Sequence, residues 1–80
     1  MGVMDKFLNY IDNHRDNQVY RSVSRVGNKY TFICDTETQM RIISNAAYLY
    51  RHRFHRQISV MTEKKGADIK VSVWFFDVEQ

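Results

Sequence analysis

The chain has 80 residues, one cysteine, no proline and a formal net charge of +3. At this length one domain is expected over residues 1–80, burying about 60 to 65% of its unfolded surface, and a single cysteine excludes a disulfide-stapled secreted scaffold. No apolar run approaches the roughly 20 residues a membrane-spanning helix needs, and the start Met1-Gly2-Val3-Met4-Asp5 lacks the basic and apolar regions of a signal peptide, so a cytoplasmic protein with no membrane partner is expected.

The first expected element is a short helix over Val3 to Asn13, where Met4, Phe7, Leu8 and Ile11 recur at helical spacing. A polar turn, Asn13 to Gln18, leads to two strands, Val19 to Val26 and Lys29 to Cys34, joined through the hairpin dipeptide Gly27-Asn28. In the second strand Tyr30, Phe32 and Cys34 share one face and Thr31 and Ile33 the other, so one side packs on the core. Thr36 followed by Gln39 has the form of a capping box, and the acids around it suit a helix N-terminus. A long helix is therefore expected from Thr36 to Arg56. At about 100° per residue, Ile43, Ala47, Tyr50 and Phe54 form its apolar stripe, while Arg41, Asn45, Tyr48, His52 and Arg56 form the opposite one.

A second hairpin closes the chain, with strands Gln57 to Thr62 and Ile69 to Val78 around the charged loop Glu63 to Asp68. Val71, Val73 and Phe75 face one way in the last strand, and Trp74 and Phe76 the other. An antiparallel strand apolar on both faces needs cover on each, which either the first helix or a second copy of the chain supplies. The expected fold is α+β, in α-β-β-α-β-β order: a four-stranded antiparallel sheet packed against one long helix. A homodimer through Trp74 and Phe76 is expected, since a small core gains most from oligomerisation.

Charge is unevenly distributed. From Thr38 to Thr62 there is no Asp or Glu, whereas Arg41, Arg51, His52, Arg53, His55 and Arg56 fall there, with Tyr48, Tyr50 and Phe54 interleaved. Arginine binds phosphate bidentately, and aromatic or guanidinium planes stack on unpaired bases, so this pattern points to a polyanion. The nucleic-acid-binding set is Arg41, Asn45, Tyr48, Arg51, His52, Arg53, His55 and Arg56, with Lys64 and Lys65 extending the track. Within it Arg53 turns away from the stripe if the helix runs on. The plainer reading is a solvated helix face whose terminal arginines complement the helix dipole.

Metal and catalytic chemistry fit less well. His52 and His55 lie three apart, with His14 as a third nitrogen ligand, but the flanking arginines oppose a cation and no metal site or cofactor is expected. Cys34 beside Asp35 ahead of a helix reads as a small core residue rather than an activated thiolate. A His14–His52 acid–base pair is unsupported by spacing, and no paired carboxylates or phosphate-loop glycines occur. The chain is thus expected not to be an enzyme.

Glycine-flanked aromatics of an RNA-recognition motif and a GXXG loop are absent, and the element order differs from that of a double-stranded-RNA-binding domain. In its size, lack of proline, aromatic richness and basic character, the whole chain resembles small accessory proteins encoded by bacteriophages. That resemblance implies a host-cytoplasmic protein acting on nucleic acid, a host factor, or a defence or toxin–antitoxin component. Binding of nucleic acid, RNA favoured over DNA, is the leading expectation. The alternative is an inhibitor that docks the same basic surface on an acidic host protein.

Overall fold

A computed structural model describes residues 2–13 and 18–77. The elements are α1 (Val3–Asp12), β1 (Ser22–Val26), β2 (Lys29–Cys34), α2 (Glu37–Arg53), β3 (Ile58–Lys65) and β4 (Asp68–Phe75). All four strands form one antiparallel sheet in the order β1-β2-β4-β3, which places the two hairpins side by side through β2 and β4. The α+β class and the element order are as expected.

Local chemistry sets the element ends. Gly27 and Gly66 take φ of 59° and 60°, while Asn28 and Ala67 keep negative φ, so both hairpins turn through a glycine that tolerates the left-handed region at the first turn position. The second hairpin is tighter than expected. Its strands run to Lys65 and from Asp68, so Glu63, Lys64 and Lys65 are strand residues and not loop residues. At the start of α2 the Thr36 Oγ1 accepts from the Gln39 N–H at 3.2 Å and the Gln39 Oε1 accepts from the Thr36 N–H at 3.1 Å, the reciprocal capping box.

The far end of α2 departs from expectation. The helix stops at Arg53, three residues before Arg56, with Phe54 as its C-cap. His55 has φ 52° and the Arg56 N–H donates to the Arg51 carbonyl at 3.2 Å, the long bond of a Schellman termination with histidine where glycine usually stands.

Both helices pack on the same sheet face. Phe7 of α1 is 0% exposed and its ring meets those of Tyr30, Phe32, Tyr50 and Phe75 at centroid distances of 5.3 to 6.4 Å. Tyr30 donates its hydroxyl to the Met4 carbonyl at 3.1 Å, and Tyr50 donates to the Lys6 carbonyl at 3.3 Å. From α2, Ile43, Ala46 and Ala47 complete a core that includes Cys34, Ile58, Ile69, Val71, Val73 and Phe75. The long helix α2 backs the sheet with α1 beside it, and among the described residues no helix covers the opposite face.

That open face is less apolar than the sequence suggested. β4 ends at Phe75, so Phe76 lies beyond the alternation, and Lys70 and Ser72 accompany Trp74. Phe76 and Asp77, expected in the strand, form a turn instead, and Val78 falls outside the described residues, as do the His14 readings.

Cys34 is fully buried, and its Sγ donates to the Val19 carbonyl at 3.6 Å. Burial first, then the Asp35 charge, pushes the thiol up to about 11. Because the folded value lies above the ordinary one, this proton contributes stability that is complete below the unfolded value and lost as pH rises through the folded value. Burial also works against thiolate reactivity. In native protein at neutral pH, Cys34 is expected to resist iodoacetamide and to react once urea unfolds the chain; equal labelling rates, read by mass spectrometry, would refute that burial.

Candidate nucleic-acid interface

The capping box fixes the start of α2, and helical advance then carries Arg41, Asn45, Tyr48 and His52 along one exposed face. Tyr48 is 50% exposed. One turn on, Arg51 leans toward the β3 side of the helix, and two grooves of about 400 Å³ each meet at this pair. The first is lined by Tyr48, Arg51, His52 and His55. The second runs along the outer edge of β3, lined by Tyr48, Arg51, Arg56, Gln57, Ile58, Ser59, Val60 and Phe76. Neither groove is lined by an acid.

The sharp stop after Arg53 shapes this region. With a left-handed residue at His55, the chain folds back so that His55 stays beside Tyr48 and His52, and Arg56 turns toward β3. A non-glycine residue in that region costs roughly 1 kcal/mol, less for histidine than for branched residues. His55→Gly is accordingly expected to stabilise the fold by about 1 kcal/mol in urea denaturation while removing one imidazole from the groove. A loss of stability would contradict the left-handed assignment.

Among the described residues, Arg51, His52, Arg53 and His55 have no ion-pair partner within 4 Å. Arg53, however, lines neither groove; it follows Leu49 by one turn, on the flank away from β3. Arg56 is half-buried and pairs with Asp77 at 3.4 Å, so it serves the fold as well as the groove.

The two lysines of β3 part company because strand neighbours face opposite ways. Lys64 turns toward the helices, where it pairs with Glu37, and Glu37 lies 3.9 Å from Arg41. The Lys64 ammonium holds the Glu37 carboxyl below the usual carboxylate range. One acid thereby joins Lys64 to the start of the α2 face. Lys65 emerges on the open sheet face, 3.9 Å from Glu63.

Trp74 and Phe76 occupy different concavities. Phe76, 58% exposed, ends the β3 edge groove, with its N–H donating to the Gln57 carbonyl at 2.9 Å. Trp74 lies in a depression on the open sheet face with Lys29, Met61, Glu63, Lys70 and Ser72. The groove roles of Phe76 and of Gln57 to Val60 are not expected from the sequence. No pattern of basic residues marks them, since the edge of β3 joins α2 only through the fold.

The basic residues Arg21 and Arg25 do not extend the interface. Arg21 bridges Asp35 and Asp68 at 3.0 and 2.8 Å, and Arg25 lies over the Tyr30 ring and 3.5 Å from Asp5. Among the described residues no group of three or more His, Cys, Asp or Glu is arranged to hold a metal ion, and no helix is long and apolar enough to cross a membrane. The chain matches no protein-family model, no curated protein and no solved structure.

Proposed function

We propose that this protein binds unpaired nucleic acid, without catalysis, through the exposed face of α2 and the two grooves at its C-terminal end. The observation that carries this reading is the meeting of Tyr48 and Arg51 in two grooves that hold further cations and aromatics but no acid. Arg41 and Arg51 supply phosphate contacts, His52 and His55 add imidazole donors, and Tyr48 offers a half-exposed ring for a base. A groove along a strand edge, walled by an exposed ring at each end, suits a splayed strand better than a rigid duplex.

The test is a titration of labelled single-stranded RNA and DNA against the protein alone, with salt varied. Affinity is expected to fall steeply with salt. Absence of binding to either polymer would overturn the reading and direct attention to an acidic protein as the partner of the same surface.

A further inference from the structure

The open sheet face carries a second feature that the α2 interface does not use. Its central residue is Trp74, the single tryptophan of the chain. Lys29 lies beside it on β2, with its Nζ 5.3 Å from the ring centroid, and Ser59 beside it on β3. Lys70 and Ser72 precede it on the same face of β4, opposite Ile33 and Thr31. The depression at Trp74, which Lys29, Met61, Glu63, Lys70 and Ser72 also line, holds about 180 Å³.

We propose that this face is the second half of one RNA track, in which a single strand leaves the α2 groove, rounds the edge of β3 and stacks a base on Trp74. This deepens, and rests on, the reading of the α2 face as a nucleic-acid interface. Continuity comes from Ser59 and Phe76. Ser59 lines the edge groove and is the register partner of Trp74, one strand spacing of about 5 Å inward. Phe76 follows Trp74 by two residues and closes the same groove, so Tyr48, Phe76 and Trp74 are successive aromatic stations around one edge.

Charge selects the occupant. Lys29, Lys65 and Lys70 face outward here, and of these only Lys65 has an ion-pair partner among the described residues, Glu63. A second copy packed on this face would bring like charges together, whereas phosphates would satisfy them. The Lys29 ammonium over the indole is an exposed cation–π contact, weaker than a stacked base, so the flexible lysine swings to a phosphate as a base takes its place. The hydroxyls of Thr31 and Ser59 near the indole favour RNA over DNA, since a ribose 2′-OH both donates to and accepts from such groups. A duplex is too stiff to engage both sides of a single strand edge.

Trp74 fluorescence reads the proposal directly. Oligouridylates of about 4 and about 12 nucleotides, the range of single-strand site sizes, are titrated with anisotropy of a labelled oligomer read in parallel. The longer strand is expected to quench Trp74, and the shorter one and duplex RNA to bind without quenching. Trp74→Leu and, separately, Lys70→Glu are expected to weaken the longer strand about 5- to 100-fold and leave the shorter one unchanged, both variants being checked for a native circular-dichroism spectrum. Binding of the longer strand that leaves Trp74 of the parent chain unquenched, or that Trp74→Leu does not diminish, overturns the second half of the track while leaving the α2 interface intact. Failure of every oligomer to bind overturns both readings. Equal quenching and affinity with oligothymidylate overturns the assignment to RNA, and a dimer in light scattering that Lys70→Glu dissolves shows a second copy on this face instead.

Discussion

Replacing both Arg41 and Arg51 with alanine is expected to weaken single-strand binding roughly tenfold or more at low salt and to reduce the magnitude of the log-affinity against log-salt slope by about 1.4, or 0.7 for each arginine–phosphate pair on a single strand. The two effects are linked. Each pairing releases counterions, so the deficit of the variant is about sevenfold smaller at about 200 mM salt than at about 50 mM. Both residues are exposed on α2, and Arg41 has only a long contact of 3.9 Å to Glu37, so the fold should be little affected. Arg53→Ala serves as the matched comparison, because that arginine is also exposed but lines neither groove. A slope unchanged in the double variant, or changed as much by Arg53→Ala, would remove the α2 face as the interface.

The largest effect on stability is expected from Phe7→Ala. Truncating a fully buried phenylalanine costs about 3 to 5 kcal/mol, through the forfeited transfer energy and the cavity left behind. A chain of this length has a total stability of about 4 to 12 kcal/mol, so one substitution removes a large share of it. Phe7 also fixes α1 in place. Its ring sits among Tyr30, Phe32, Tyr50 and Phe75, and a ten-residue helix has little stability without such packing. Phe54→Ala provides the contrast: that ring is 52% exposed and rests against Tyr50 at a centroid distance of 5.0 Å, so truncating it should cost about 1 kcal/mol or less. Urea denaturation followed by far-ultraviolet circular dichroism separates the two. Equal midpoints for Phe7→Ala and the parent chain would refute the position of α1.

The features legible in the sequence are those governed by neighbours along the chain. Gly27-Asn28 announces a hairpin because a glycine tolerates the turn conformation, and Thr36 with Gln39 announces a helix start because each satisfies the other's backbone donor. The alternation of Tyr30, Phe32 and Cys34 identifies the core face of β2 for the same reason. The end of α2 is less legible. No glycine or proline marks it, and His55 takes a left-handed conformation that histidine only sometimes adopts, so the expected helix extends three residues too far. Glu63 to Lys65 read as loop by composition, yet charged residues suit an edge strand that must avoid pairing with other chains.

By itself the sequence determined the α+β element order, the apolar stripe of α2 as far as Tyr50 and the exposed row Arg41, Asn45, Tyr48 and His52, since helical and strand periods fix which residues share a face, whereas Phe54 falls past the helix end and is exposed. It could not decide which faces meet. Pairing of β2 with β4 joins segments far apart in the chain, and only that pairing leaves β3 at the edge beside α2, where Phe76 and Ser59 enter the groove. The same packing sends Lys64 toward Glu37 and Lys65 to the far side, and puts α1 next to α2 so that the face around Trp74 stays open. Local spacing carries directions within an element; the placement of elements is set by burying Phe7, Phe32, Ile43 and Phe75 together, a long-range condition that no short stretch of the chain contains.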